Sequence, residues 1–314
     1  MRDIMAEVRG FGKVILFGEH FVVYGLPAIA SAVGDKTIAK IEKSDKYELV
    51  DNRPATEGYK VKKKGEIKRS MKLILDFMKI DIEKNPVKIT LSGNLFCTSG
   101  IGASAAMATS IARAFSDYFN LNLNDEQINR ISYEGEKGSA GTPSGIDNTC
   151  ATFGGLLWFE KNLQGGENKI ELLEIKQPIE IVLGNTGLSS VTSEVVADVK
   201  KAKEADPEKY DKIFKEYERL VKEARGSLES YDLEKIGNLM DENHRLLKEM
   251  NLSCEEAEKI ISIAKENGAL GAKITGTGQG GYVITLTPGE ELQEKVAKAI
   301  ESAGFMVIKS KIGV

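Results

Sequence analysis

Cysteine is scarce in this chain: Cys97, Cys150 and Cys254 are the only three among 314 residues, and they lie far apart. Their odd number and wide spacing exclude a disulfide framework and a cysteine metal site, and point to a reducing compartment. No apolar run approaches the roughly 18 residues of a membrane-spanning helix. The opening "MRDIMAEVRGFGKVILFGEH" holds only a short apolar stretch, broken by Gly18 and Glu19, and reads as neither signal peptide nor membrane span. Positive charge is not in excess: 43 Lys and Arg against 47 Asp and Glu give −4. That balance argues against a general nucleic-acid or anionic-membrane binder, so an anionic ligand needs a local site. There is no internal repeat and no low-complexity linker. What remains, 41% hydrophobic and 29% charged, is the composition of a soluble, cytoplasmic globular protein long enough for two domains.

"KVILFGEHFVVYGLPAIASAV" reads as two strands joined by a short glycine-containing loop. "KTIAKIEKSDKYELV" alternates apolar and polar residues, as half-buried strands near a sheet edge do. "VKKKGEIKRSMKLILDFMKI" begins with a lysine cluster, read as a solvated face, and becomes an amphipathic helix. "PVKITLSG" is a strand; helices are expected from about Gly102 to Tyr118 and from Asp125 to about Lys137, with Asn124 or Asp125 as N-cap. "NTCATFGGLLWFEKN", "KIELLEI" and "IEIVLGNTG" read as strands, with Trp158 and Phe159 in the core. From about Glu194 to Asn267 the pattern is amphipathic helix, with breaks near Asp206-Pro207, Gly226, Tyr231-Asp232 and residues 251–253. His244, on one of these helices, reads as a surface or interdomain residue. The change of character near residue 180 sets the domain boundary, 1–180 and 181–314.

Three glycine-rich places stand out. In "CTSGIGASAA" small residues enter an alanine-rich helix. A helix N-terminus exposes unpaired N–H groups with partial positive charge, and small residues let that backbone approach an anion closely. The segment fits neither G-x-x-x-x-G-K-[ST] nor G-x-G-x-x-G, so on spacing alone a tight helix entry and a phosphate site stand level. In "GEKGSAGTPSGIDNTCATFGG", Asp147 lies 11 residues after Glu136. A carboxylate in such a turn either satisfies neighbouring N–H groups or takes a proton from a substrate hydroxyl while Glu136 holds a cation. The third place, "KITGTGQGG", lines a ligand or lets two surfaces pack closely.

In this order, with "GKVILFGEHFVVYG" ahead of them, these segments resemble the GHMP kinase family. The pair Glu19-His20 resembles the members that act on mevalonate. "DNRPATEGY", "SGIGASA", "GTPSGIDNT" and "KITGTGQGG" look like the trypanosomatid branch and its prokaryotic relatives. The resemblance implies an α+β, two-domain fold: an N-terminal ribosomal-protein-S5-domain-2-like domain with a left-handed β-α-β unit, and a C-terminal ferredoxin-like domain with added helices. It implies ATP-dependent transfer of a phosphoryl group to the C5 hydroxyl of (R)-mevalonate in isoprenoid biosynthesis. Mevalonate is then the small-molecule partner, without nucleic acid or membrane, for a monomer or homodimer.

Site residues follow by resemblance. Thr98, Ser99, Gly100, Ile101, Gly102, Ala103, Ser104 and Ala105 form the ATP phosphate loop. Ser104 and Glu136 are the Mg²⁺ ligands, Asp147 the catalytic base and Lys13 its partner. Glu19, His20, Thr192 and Gly276 belong to the substrate pocket. Ala103 stands where the family commonly has serine, Phe96-Cys97-Thr98-Ser99 replaces its usual entry, and Gln279 stands where Gly or Arg is frequent. Thr98 and Ser99 are candidate replacement donors. Another kinase of the family, acting on phosphomevalonate or homoserine, is the alternative. A catalytically silent sensor would have lost Asp147, Lys13 or Glu136, and all three are present.

Overall fold

The computed structural model describes residues 8–314 except Ser99, Thr142, Ser189 and Val191, together with all side chains in that range but that of Ala140. The chain packs as two compact units, Met1–Lys13 with Ala32–Gly154, and Val14–Ser31 with Gly155–Val314. The packing boundary after Gly154 therefore precedes the compositional change near residue 180, and the second unit reclaims an N-terminal segment. Strand pairing is the reason. The strands between Gly155 and residue 180 pair with one another and with the start of the second strand, Ala28–Ser31.

In the first unit, β2 (Ala28–Lys43), β3 (Glu48–Asp51) and β4 (Val87–Gly93) pair in the order β3-β4-β2. β2 and β4 are antiparallel, β3 and β4 parallel. β1 (Arg9–Phe17) pairs with β2, and both strands pass from one unit into the other. Among the described residues, four helices complete the unit: α1 (Tyr59–Met78), α2 (Ala103–Tyr118), α3 (Asp125–Ala140) and α4 (Ile146–Phe153). Ile74, Ile89, Leu91, Met107, Ile111 and Phe115 are among the side chains of its core. Asn124 caps α3 in a reciprocal box with Gln127, each side chain accepting the other's backbone N–H at 3.0 Å.

The second unit holds β5 (Leu156–Glu160), β6 (Lys169–Leu173), β7 (Ile179–Asn185), β8 (Gly271–Thr275), β9 (Tyr282–Leu286) and β10 (Met306–Ile312). β10, β7, β9 and β8 pair in that order, all antiparallel. The helices are α5 (Thr192–Ala205), α6 (Pro207–Ser230), α7 (Leu233–Glu249), α8 (Glu255–Glu266) and α9 (Glu290–Ser302). Among the described residues no helix is long and apolar enough to cross a membrane.

Three local expectations are corrected. "FVVY" is a turn of 3₁₀ helix, not a strand, closed by Gly25 at φ 81°. Its Phe21 stacks on Tyr217 with ring centroids 3.7 Å apart, and Tyr217 Oη donates to Pro27 O, so tertiary packing overrides β propensity. "IDNTCATF" is the helix α4, not the lead-in to a strand. Gly226 does not break α6, whose next stop is Tyr231 in the left-handed region.

Candidate active site

In the first unit, glycines seat α2 on β1. A Cβ at Gly10 would lie 2.2 Å from Ala106 O, so only glycine allows the strand so near the helix. Gly102, the N-cap of α2, has φ 72° and offers no capping side chain. A Cβ there would lie 3.0 Å from Lys13 N, while Lys13 N–H donates to Ile101 O at 2.9 Å. Ile101, Ala103 and Ala105 are buried, so these three residues present chiefly backbone at the helix entry. This close approach fixes Lys13 against the start of α2. Its Nζ lies 3.0 Å from Asp147 Oδ1. Asp147 stands in the first turn of α4, whose N-cap is again a glycine, Gly145. Burial pulls the Lys13 pKa down, but the Asp147 carboxylate outweighs it and raises the ammonium above its ordinary value.

Glu136 reaches the same cluster from α3. The flanking Gly135 and Gly138, unfavourable in a helix interior, are explained by α1: a Cβ at Gly138 would lie 2.4 Å from Ser70 N. Glu136 is buried, its Oε1 without a hydrogen-bond partner. Burial and then the nearby Asp147 charge push its pKa to about 7, against the pull of the Ser104 hydroxyl and Lys13. A buried carboxyl with an orphaned oxygen beside a serine hydroxyl is a donor set that a cation would complete. Thr98 lies half-buried at the loop's entry, and Ser99 falls outside the described residues. The structure thus brings together Lys13, Ser104, Glu136 and Asp147.

In the second unit a different cluster forms around residues 275–281. His20 Nε2 donates to Thr277 O at 2.5 Å, and Thr192 and Thr277 share a hydroxyl–hydroxyl bond of 2.9 Å. Ser190 Oγ donates to Gly278 O at 2.8 Å, and Thr275 Oγ1 to Ile15 O at 2.7 Å. Gly276 turns the chain at φ 89°. Burial lowers the His20 pKa below its ordinary value, against the Thr277 bond. Glu19 is not at a surface: its side chain, 1% exposed, forms an ion pair with the fully buried Lys273, and its Oε2 has no partner.

Lys273 escaped the sequence reading. Its signal is a lone charge within "GAKIT", a strand whose five residues are all buried. His244 also differs from expectation. It is buried, accepting the Ile274 N–H at Nδ1 and donating from Nε2 to Glu258 Oε1 at 2.8 Å. Cys97 and Cys150 are buried, and burial raises both thiols.

Residues 66–155 match the GHMP kinases N terminal domain, and residues 213–305 match the GHMP kinases C terminal family. A mevalonate kinase of Thermococcus sibiricus is 36% identical over 96% of this chain and 94% of its own. The crystal structure of L. major mevalonate kinase in complex with R-mevalonate superposes with a TM-score of 0.94 at 36% identity, covering 98% of this chain and 96% of that one. The Methanococcus jannaschii mevalonate kinase superposes with a TM-score of 0.80 at 26% identity, over 99% of both chains.

Proposed function

The chain belongs to the mevalonate kinases of the GHMP kinase family, and on that premise we propose that it transfers the γ-phosphoryl group of ATP to the C5 hydroxyl of (R)-mevalonate. The observation that carries this reading is the Lys13–Asp147 pair at 3.0 Å, beside the glycine entry to α2 and the half-satisfied Glu136.

Phosphoryl transfer asks a protein chiefly for positioning and charge stabilisation. The backbone from Gly100 to Ala105 cradles the phosphates, since the first N–H groups of α2 stand at a helix start without a capping side chain. Ser104 and Glu136 would hold Mg²⁺, which would supply positive charge to offset that developing on the phosphates. Lys13 engages Asp147 Oδ1 and holds the carboxylate in place. Asp147 orients the C5 hydroxyl and accepts its proton at Oδ2. In the second unit His20, its Nε2 held by Thr277 O, lines the mevalonate pocket, and Thr192 and the backbone at Gly276 bind the molecule. Glu19 serves that pocket through Lys273, from inside the protein. The absence of disulfides among three free thiols fits a cytoplasmic enzyme.

A coupled ADP-release assay over mevalonate, phosphomevalonate, homoserine and galactose tests the reading. Turnover is expected with mevalonate. Turnover on another of the four in its place overturns the substrate assignment.

A further inference from the structure

Arg53 is a charged side chain without a place in the chemistry above, yet it is 2% exposed. Its guanidinium grips Asp51 with two prongs, Nε to Oδ1 at 2.9 Å and Nη2 to Oδ2 at 2.8 Å. Nη1 reaches two further acceptors: Thr37 Oγ1 on β2 at 3.4 Å, and Ala103 O, the first residue of α2, at 3.2 Å. The three residues after Arg53 hold the other end of the same loop. Cys97 N–H donates to Pro54 O at 2.7 Å, and Thr56 N–H donates to Cys97 O at 3.2 Å. Residues 53–56 therefore clasp residues 97 and 103, the two ends of the segment that carries Gly100 and Gly102 at φ 98° and 72°.

We propose that Arg53 is a positioning residue for the nucleotide, fixing the span of the phosphate loop by tying Ala103 O to Asp51 while residues 54–56 hold Cys97. The reasoning is geometric. Gly102 gives α2 no side-chain cap, so nothing within the helix itself fixes its entry. Two glycines inside the loop leave the backbone many conformations, of which few present the N–H groups to one phosphate group. A planar guanidinium anchored on a carboxylate has little freedom left, so its remaining N–H defines where Ala103 O must lie. Buried as it is, Arg53 does not touch ATP.

The inference rests on residues 98–105 being the phosphate loop, and the experiment separates the two. KM for ATP, KM for mevalonate and melting temperature are measured for Arg53→Lys, Arg53→Ala, Thr37→Val and Ser104→Ala. Arg53→Lys keeps the buried charge beside Asp51 but loses the fork. It should raise KM for ATP by about tenfold, the value of one charge-assisted hydrogen bond, with KM for mevalonate unchanged. Arg53→Ala should show a larger rise that added guanidinium partly reverses. If it does not fold, Arg53→Lys decides alone. Thr37→Val removes the arm that does not reach α2, and should lower the melting temperature without moving KM for ATP. Equal rises in both KM values, or no rise for ATP, in Arg53→Lys overturn the inference. If Ser104→Ala also leaves ATP binding and Mg²⁺ dependence unchanged, the phosphate-loop reading itself fails.

Discussion

The two clusters proposed to carry the reaction are built from opposite materials. In the first unit the helix entry is backbone. Gly10 and Gly102 lack side chains where strand and helix meet, Gly145 offers none at the N-cap of α4, and Ala103 and Ala105 bury theirs. Its precision comes from how closely main chains approach. In the second unit the residues around 275–281 are held by side chains: an imidazole, four hydroxyls and a buried ion pair. The contrast matches the ligands proposed. A polyphosphate is recognised by many equivalent N–H donors, whereas a small chiral acid needs a few directed groups.

Substitutions break this contrast in order of size. Asp147→Asn should lower kcat by about 10³–10⁴ while leaving the melting temperature near that of the parent, read by ADP release. Near-full turnover would refute Asp147 as the base. Lys273→Met should be the severe stability variant, costing about 3–5 kcal/mol in urea unfolding because the Glu19 charge is left buried and unpaired. Adding Glu19→Gln should restore much of it. Gly102→Ala should cost about 1–3 kcal/mol, since its φ of 72° is strained for alanine and the new Cβ meets Lys13 N. It should also weaken ATP, and an effect on mevalonate alone would contradict the division of labour. Thr192→Ala should raise KM for mevalonate about fivefold, without changing KM for ATP.

The smallest effect is acid-dependent. Burial opposes ionisation of Glu258, but hydrogen bonds from Lys248, Ser253 and His244 prevail and hold its pKa near about 2, against an ordinary 4.5. Its native pKa is the lower one, so its stabilising contribution is complete above 4.5 and disappears as pH falls towards about 2. Urea unfolding of Glu258→Gln should lose less stability than the parent over that window. Equal losses would show that the His244–Glu258 contact behind β8 carries no linkage.

What was legible in the sequence was whatever is local. The limits of α2 and the start of α3 followed from periodicity and from Asn124 as a cap, while α3 runs on past Lys137 to Ala140. The motifs placed Lys13, Ser104, Glu136 and Asp147 on one list, and the structure brings them together. What escaped depends on partners far along the chain. The 3₁₀ turn at "FVVY" needs Tyr217, and the Glu19 carboxylate is answered by Lys273, separated from it by 254 positions. Gly135 and Gly138 look like helix breakers until α1 lies across them. Asp147 heads a helix whose apolar run imitates a buried strand, an ambiguity that periodicity cannot resolve in eight residues.

The discontinuity of the second unit bears on biosynthesis. Residues 14–31 leave the ribosome early, but the partners that bury them, β5, Tyr217 and Lys273, are made only after the first unit's chain is complete. Until then Phe21 has no ring to stack on and Glu19 no counter-ion, so the nascent chain carries an apolar and acidic segment awaiting its fold. A fragment ending at Gly154 would hold that segment permanently exposed, and one beginning at Gly155 would lack the strand residues that β5 pairs with.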